Sequence, residues 1–131
     1  MRAAAKRVQT HITKRPAMIA VIFEVCPQPH AKDDYLAIAG VLAPMLSTID
    51  GFISIERFQS LTQPSKILSL SFWRDEEAVK QWRNTEEHRN AQAQGRAGIF
   101  ADYRLRIAAV VRDYGLTERD EAPTDSRNVH G

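Results

Sequence analysis

The sequence predicts an α+β fold, a ferredoxin-like βαββαβ unit with a four-stranded antiparallel sheet and both helices on one face. Three observations predict it. Four stretches, IAVIFEV, FISIERFQ, KILSLSFW and YRLRIAAVVRD, are rich in β-branched and aromatic residues. The intervals after the first and third stretches carry apolar residues at helical spacing. The interval between the second and third holds only a short loop, residues 61–65, which suits a hairpin.

Each element has its own reason. The first strand, Ile19–Val25, is stopped by CPQP, because Pro27 and Pro29 cannot continue a ladder. Pro29 also sits where a helix can start. From His30 to Leu46, Tyr35, Ile38, Ala39, Leu42 and Met45 recur at helical spacing, with Pro44 weakening the last turn. Asp50-Gly51 marks a turn, and Phe52–Gln59 is the second strand. Lys66–Trp73 is the third. Asp75 is placed to cap a helix with Glu76 and Glu77 in its first turn, and Thr85 to cap a second piece, EEHRNAQAQ, ending near Gly95 or Gly98. Tyr103–Asp113 is expected to be the fourth strand.

A single-layer cover leaves one sheet face to water, and that face should be polar. Here both faces carry substantial apolar surface. Ile19, Val21, Phe23 and Val25 oppose Ala20 and Ile22; Leu68, Leu70 and Phe72 oppose Ile67 and Trp73. The chain has no spare element for the second face, so a two-fold homodimer, sheet against sheet, is expected.

Composition sets the outer bounds. The 131 residues suit one domain, 44% of them hydrophobic and 26% charged. No apolar run approaches the roughly 18 residues of a membrane span. MRAAAKRVQTHITKRPA, residues 1–17, holds Arg2, Lys6, Arg7, Lys14 and Arg15 and no acid, so it carries +5 while residues 18–131 carry −3. The folded part is mildly acidic, which argues against a nucleic-acid partner. The leader reads as a disordered extension, residues 18–116 as the folded domain, and the polar stretch 117–131 as a disordered tail. One cysteine, Cys26, forms no intrachain disulfide, and no secretory signal is evident, so a cytoplasmic protein with no membrane partner is expected. Four scattered histidines give no metal-ligand spacing.

The stretch KILSLSFWRDEEAVKQWRNTEEHRNAQAQGR resembles the signature region of the antibiotic biosynthesis monooxygenase family: a strand ending in an aromatic-Trp pair, an acidic helix start, a second Trp, and a Glu-His-Arg step before Gly-Arg. MIAVIFEV, DGFISIERF and YRLRIAAVVRDYG fit the same family, so the likeness spans residues 18–115. The resemblance implies a dimeric α+β barrel. It also implies one of several chemistries: cofactor-independent oxidation of phenol- or quinol-like aromatics by dioxygen, haem binding and opening, or a non-catalytic dimeric small-molecule- or haem-binding module. The haem branch uses an Asn on the first strand, a Trp on the second helix and a His ten residues later. This chain keeps Trp82, but has Gln92 and, near the strand position, Glu24. The oxygenase branch shares a strand-end Trp, here Trp73, while Ser69 and Val79 stand where Asn and Tyr occur.

The expected site follows from these residues. Trp73 is a ring-stacking pocket wall or a sheet-packing residue. His88 is the one side chain of the signature that titrates near neutrality, hence the candidate base or a haem ligand, or else a helix-surface residue beside a carboxylate. Phe23, Phe72, Trp82 and Ser69 complete the expected pocket, although Trp82, on the helix's apolar face, reads first as core. Arg57 and Glu56 on the second strand are read as catalytic or as ion-pairing across subunits, and Arg96 as an anion holder or a helix-end charge.

Overall fold

Alternation along the strands and the caps between them set the architecture. The computed structural model describes residues 17–131. The strands are β1 (Ile19–Pro27), β2 (Phe52–Gln59), β3 (Ile67–Trp73) and β4 (Phe100–Ala109). The helices are α1 (Lys32–Leu46), α2 (Glu76–Arg83), α3 (Glu86–Gln94) and α4 (Thr124–His130), and a π-helical turn, Gly95–Ile99, joins α3 to β4. The expectation for the basic leader falls, for residues 1–16, outside the described residues. The strands form one sheet in the order β2-β3-β1-β4, every neighbouring pair antiparallel, which is the ferredoxin-like arrangement.

Both helix starts after β3 are built as capped ends. Asp75 accepts the Ala78 N–H at 2.9 Å, and Thr85 Oγ1 accepts the His88 N–H at 3.2 Å. Gly51, at φ +94°, turns the chain into β2, and a Cβ there would collide with Ala78.

The core divides into two clusters on the helical face of the sheet. One joins Ile19, Leu46, Trp73, Ala78, Val79 and Trp82; the other joins Val25, Tyr35 and Ile67, with Phe23, Ile99 and Phe100 against it. The opposite face carries Ile22, Leu68, Leu70, Phe72 and Phe58, the last 43% exposed. Glu24 lies on that face too, within 3.4 Å of Lys66 and 3.0 Å of Arg106. Among the described residues no helix is long and apolar enough to cross a membrane.

Two boundaries differ from the sequence reading. β4 starts at Phe100, not Tyr103, because Phe100 already pairs with Pro27 across a register shift. It ends at Ala109 because Ala109 faces Ile19, the first residue of its partner strand; one further bond, Val110 N–H to Met18 O, closes the ladder. Residues 117–131 are not an unstructured tail. Arg119 donates to the Gly131 and Gly115 carbonyls and to Ser126 Oγ and lies over the Tyr114 ring, Glu121 accepts the Asp113 N–H, and α4 follows. The few apolar residues mislead here because one guanidinium serves as the hub in place of a core.

Candidate functional site

The middle of the sheet is where packing fails. At one end Ile19 faces Trp73, and at the other Val25 faces Ile67, so large side chains plug both ends. Between them β3 presents Ser69 and Ser71 to the helices. Ser69 stands between Arg57 and Phe23, with Leu105 beyond; Ser71 stands between Ile55 and Val21, with Ile107 beyond. Two small residues on a central strand leave space that the helices do not fill. The result is a cavity of about 170 Å³ bounded by α1, α2, α3 and the sheet. Leu105 and Ile107 line it and are 46% and 44% exposed, so it opens along the β4 edge. A buried apolar space of roughly 150 Å³ holds one benzene ring, so this one takes a single substituted ring.

Trp73 closes one end. It is 1% exposed, and its indole N–H donates to Ser71 Oγ at 2.9 Å. That hydrogen bond fixes the ring and uses its only donor. Trp73 therefore offers a wall to a ligand and no free polar handle. Phe52 packs edge-on against it, with ring centroids 5.2 Å apart. Trp82 and Val79 from α2 also line the cavity while belonging to the core cluster.

His88 comes from α3, in the turn fixed by the Thr85 cap. Its ring meets Trp82 edge-on at 5.3 Å, and it is half-buried on the cavity lining. Burial holds its imidazole below the ordinary range; the Arg83 backbone works against this through a hydrogen bond, and the Arg83 charge adds to the lowering. A neutral imidazole at the rim of an apolar cavity can accept a proton from a bound ligand.

The far end is shaped by the π-helical turn. Gly95 lies in contact with the Phe100 ring, where any Cβ would overlap it. Phe100 in turn meets Phe23 and Tyr35 edge-on at 5.7 and 6.3 Å. Phe23, Phe100 and Tyr35 form an aromatic wall opposite the Trp73 end.

The structure brings Trp73, Trp82, His88, Phe23 and Ser69 to this cavity. Phe72 is a correction: adjacent to Trp73 in a strand, it must point to the other face, and it is absent from the lining. Arg57 is a lining residue that the expected pocket did not include. Glu56 and Arg57 are neighbours in a strand, so they project to opposite faces, and Arg57 lines the cavity. Its Nε is buried with no hydrogen-bond partner. The signal was available in the alternation of β2 with Ile55, which shares Arg57's face. Arg96 is exposed and lies off the cavity.

The haem constellation does not fit. Glu24 is on the other sheet face, engaged with Lys66 and Arg106. Gln92, not histidine, faces the cavity. Among the described residues no group of three or more His, Cys, Asp or Glu side chains could hold a metal ion.

Comparison with known proteins adds three findings. The family model described as antibiotic biosynthesis monooxygenase matches residues 18–94. The chain is 54% identical over 93 residues to a protein of Pyricularia oryzae named jasmonate monooxygenase ABM, covering 71% of this chain but only 43% of that protein. The Mycobacterium tuberculosis protein Rv0793 has a similar structure, with a TM-score of 0.68 at 18% identity, covering 76% of this chain and 100% of that one.

Proposed function

The chain belongs to the antibiotic biosynthesis monooxygenase family, and from that premise we propose that it is a cofactor-independent monooxygenase acting on a small phenol- or quinol-like ring compound. The observation that carries this reading is the ring-sized apolar cavity with neutral, half-buried His88 at its lining. In the proposed reaction His88 takes the phenolic proton. The anion passes one electron to dioxygen, and the two radicals combine to a ring peroxide. Loss of the ring hydrogen with O–O cleavage gives a quinone and water, so the substrate itself supplies the two electrons. The protein's share is orientation, exclusion of water and the proton acceptor. Trp73, Phe23 and Trp82 hold the ring, and Ser69 and Ser71 leave the room for it.

The working unit is proposed to be a homodimer. The face bearing Ile22, Leu68, Leu70 and Phe72 would be covered by the same face of a second copy, a self-complementary interface.

The test is oxygen consumption by metal- and flavin-free protein over a panel of phenols and quinols, with a jasmonate included because of the Pyricularia oryzae relative's name. Catalysed uptake is expected with at least one compound, lowered roughly 10²-fold in His88→Ala, the low end for a general base. Uptake no faster than without protein, for every compound, overturns the reading.

A further inference from the structure

Arg57 has no explanation in the proton chemistry or in the packing. It stands on β2 in the rung Arg57–Ser69–Phe23, inside a cavity whose other walls are mostly apolar and aromatic, with Ser69, Ser71, Arg83, His88 and Gln92 as further polar lining. Its Nε is buried without a hydrogen-bond partner. Burying one N–H of a charged group without an acceptor is costly, so a half-buried guanidinium with its Nε so placed calls for a partner. The chain does not supply one: among the described residues Arg57 takes part in no ion pair. Its neighbour Glu56 points away, and Glu24 lies on the other face, held by Lys66 and Arg106. The guanidinium fork matches a carboxylate bidentately.

We propose that Arg57 is the anion anchor of the cavity, and that the natural ligand is a small phenol- or quinol-like ring bearing one carboxylate. The proposal deepens the functional reading and rests on this cavity being the substrate site. The carboxylate docks on Arg57 in the Ser69 rung and the ring lies toward Trp73 and Trp82. Arg57 thereby fixes which edge of the ring meets His88. It is a specificity residue: it selects and orients and takes no part in proton transfer.

The test needs no turnover. Phenylacetate and its neutral near-isostere phenylacetamide are titrated by calorimetry against wild type, Arg57→Gln and Arg57→Lys, with melting curves confirming that each variant folds. Wild type should bind the carboxylate roughly 10- to 100-fold more tightly, the range for a hydrogen-bonded charge. Arg57→Gln should bring the two ligands to parity while keeping amide binding. Arg57→Lys, a point charge without the fork, should keep part of the preference, and it serves alone if the Gln variant does not fold. Equal binding of both ligands by wild type, a preference that survives in Arg57→Gln, or no binding of either ligand overturns the proposal. Carboxylate selectivity without oxygen uptake would sink the oxygenase reading and leave the anchor standing; uptake without selectivity would do the reverse.

Discussion

A half-buried imidazole titrates differently from a free one, and that difference is measurable at His88. Burial disfavours its charged form and places its pKa below the ordinary imidazole range. The unfolded chain therefore takes up a proton, near pH 6.5, before the folded one does. The His88 contribution to stability is complete above that value and is lost as pH falls through the folded pKa. His88→Gln should flatten the acid side of the stability-versus-pH curve, measured by denaturant titration; an unchanged acid side would mean the ring is solvated. In turnover, the neutral base persists to lower pH than a free imidazole would, so the acid limb should lie below about pH 6.5 and vanish in the variant. Trp73 is a different case. Its N–H is spent on Ser71, so its role is shape. Trp73→Phe should weaken ring binding modestly, whereas Trp73→Ala should cost about 3–5 kcal/mol of stability. The sequence showed both residues but not their geometry. Phe72 and Trp73 look equivalent as an aromatic pair, and only alternation separates them; Arg57 was hidden behind its acidic neighbour for the same reason.

Among the three helices that bound the cavity, α3 stands out because none of its residues is buried. It lies over the cavity with His88, Ala91 and Gln92 facing in, and it is held by the Thr85 cap at one end and the π-helical turn at the other. An element with so little buried apolar surface opens at lower free energy than the rest. Hydrogen exchange should find α3 amides faster than those of β1 and β3, and slowed by a ring ligand. Equal protection of α3 and the central strands would contradict its role as a cover. Thr85→Ala removes a cap worth about 1 kcal/mol and should speed that exchange further. Both caps, Asp75 and Thr85, were legible in the sequence, because capping is local chemistry. The limits of β4 were not, because a strand ends where its ladder partner ends, and Ile19 lies ninety residues upstream of Ala109. The order in 117–131 was invisible for a related reason: it hangs on Arg119, and no periodicity reveals a hub.

For the whole molecule, the sheet has two apolar faces and helices for one. That conflict was readable from the alternation of β1 and β3 alone. A homodimer mass by light scattering at micromolar concentration is the expected outcome. Leu70→Asp, on the helix-free face, should give aggregate or unfolded protein, since a buried charge would have no partner. A stable wild-type monomer would remove the assembly from the account. Cavity and family membership meet in one claim, that this fold moves a single oxygen atom from dioxygen to a ring. The direct measurement is turnover of the best substrate under oxygen-18-labelled dioxygen, the quinone being reduced at once to prevent carbonyl exchange, with the product weighed by mass spectrometry. The account predicts one labelled oxygen per product molecule from protein stripped of metal and flavin, and none from His88→Ala beyond the background rate. Product without label, or with both atoms, would contradict it.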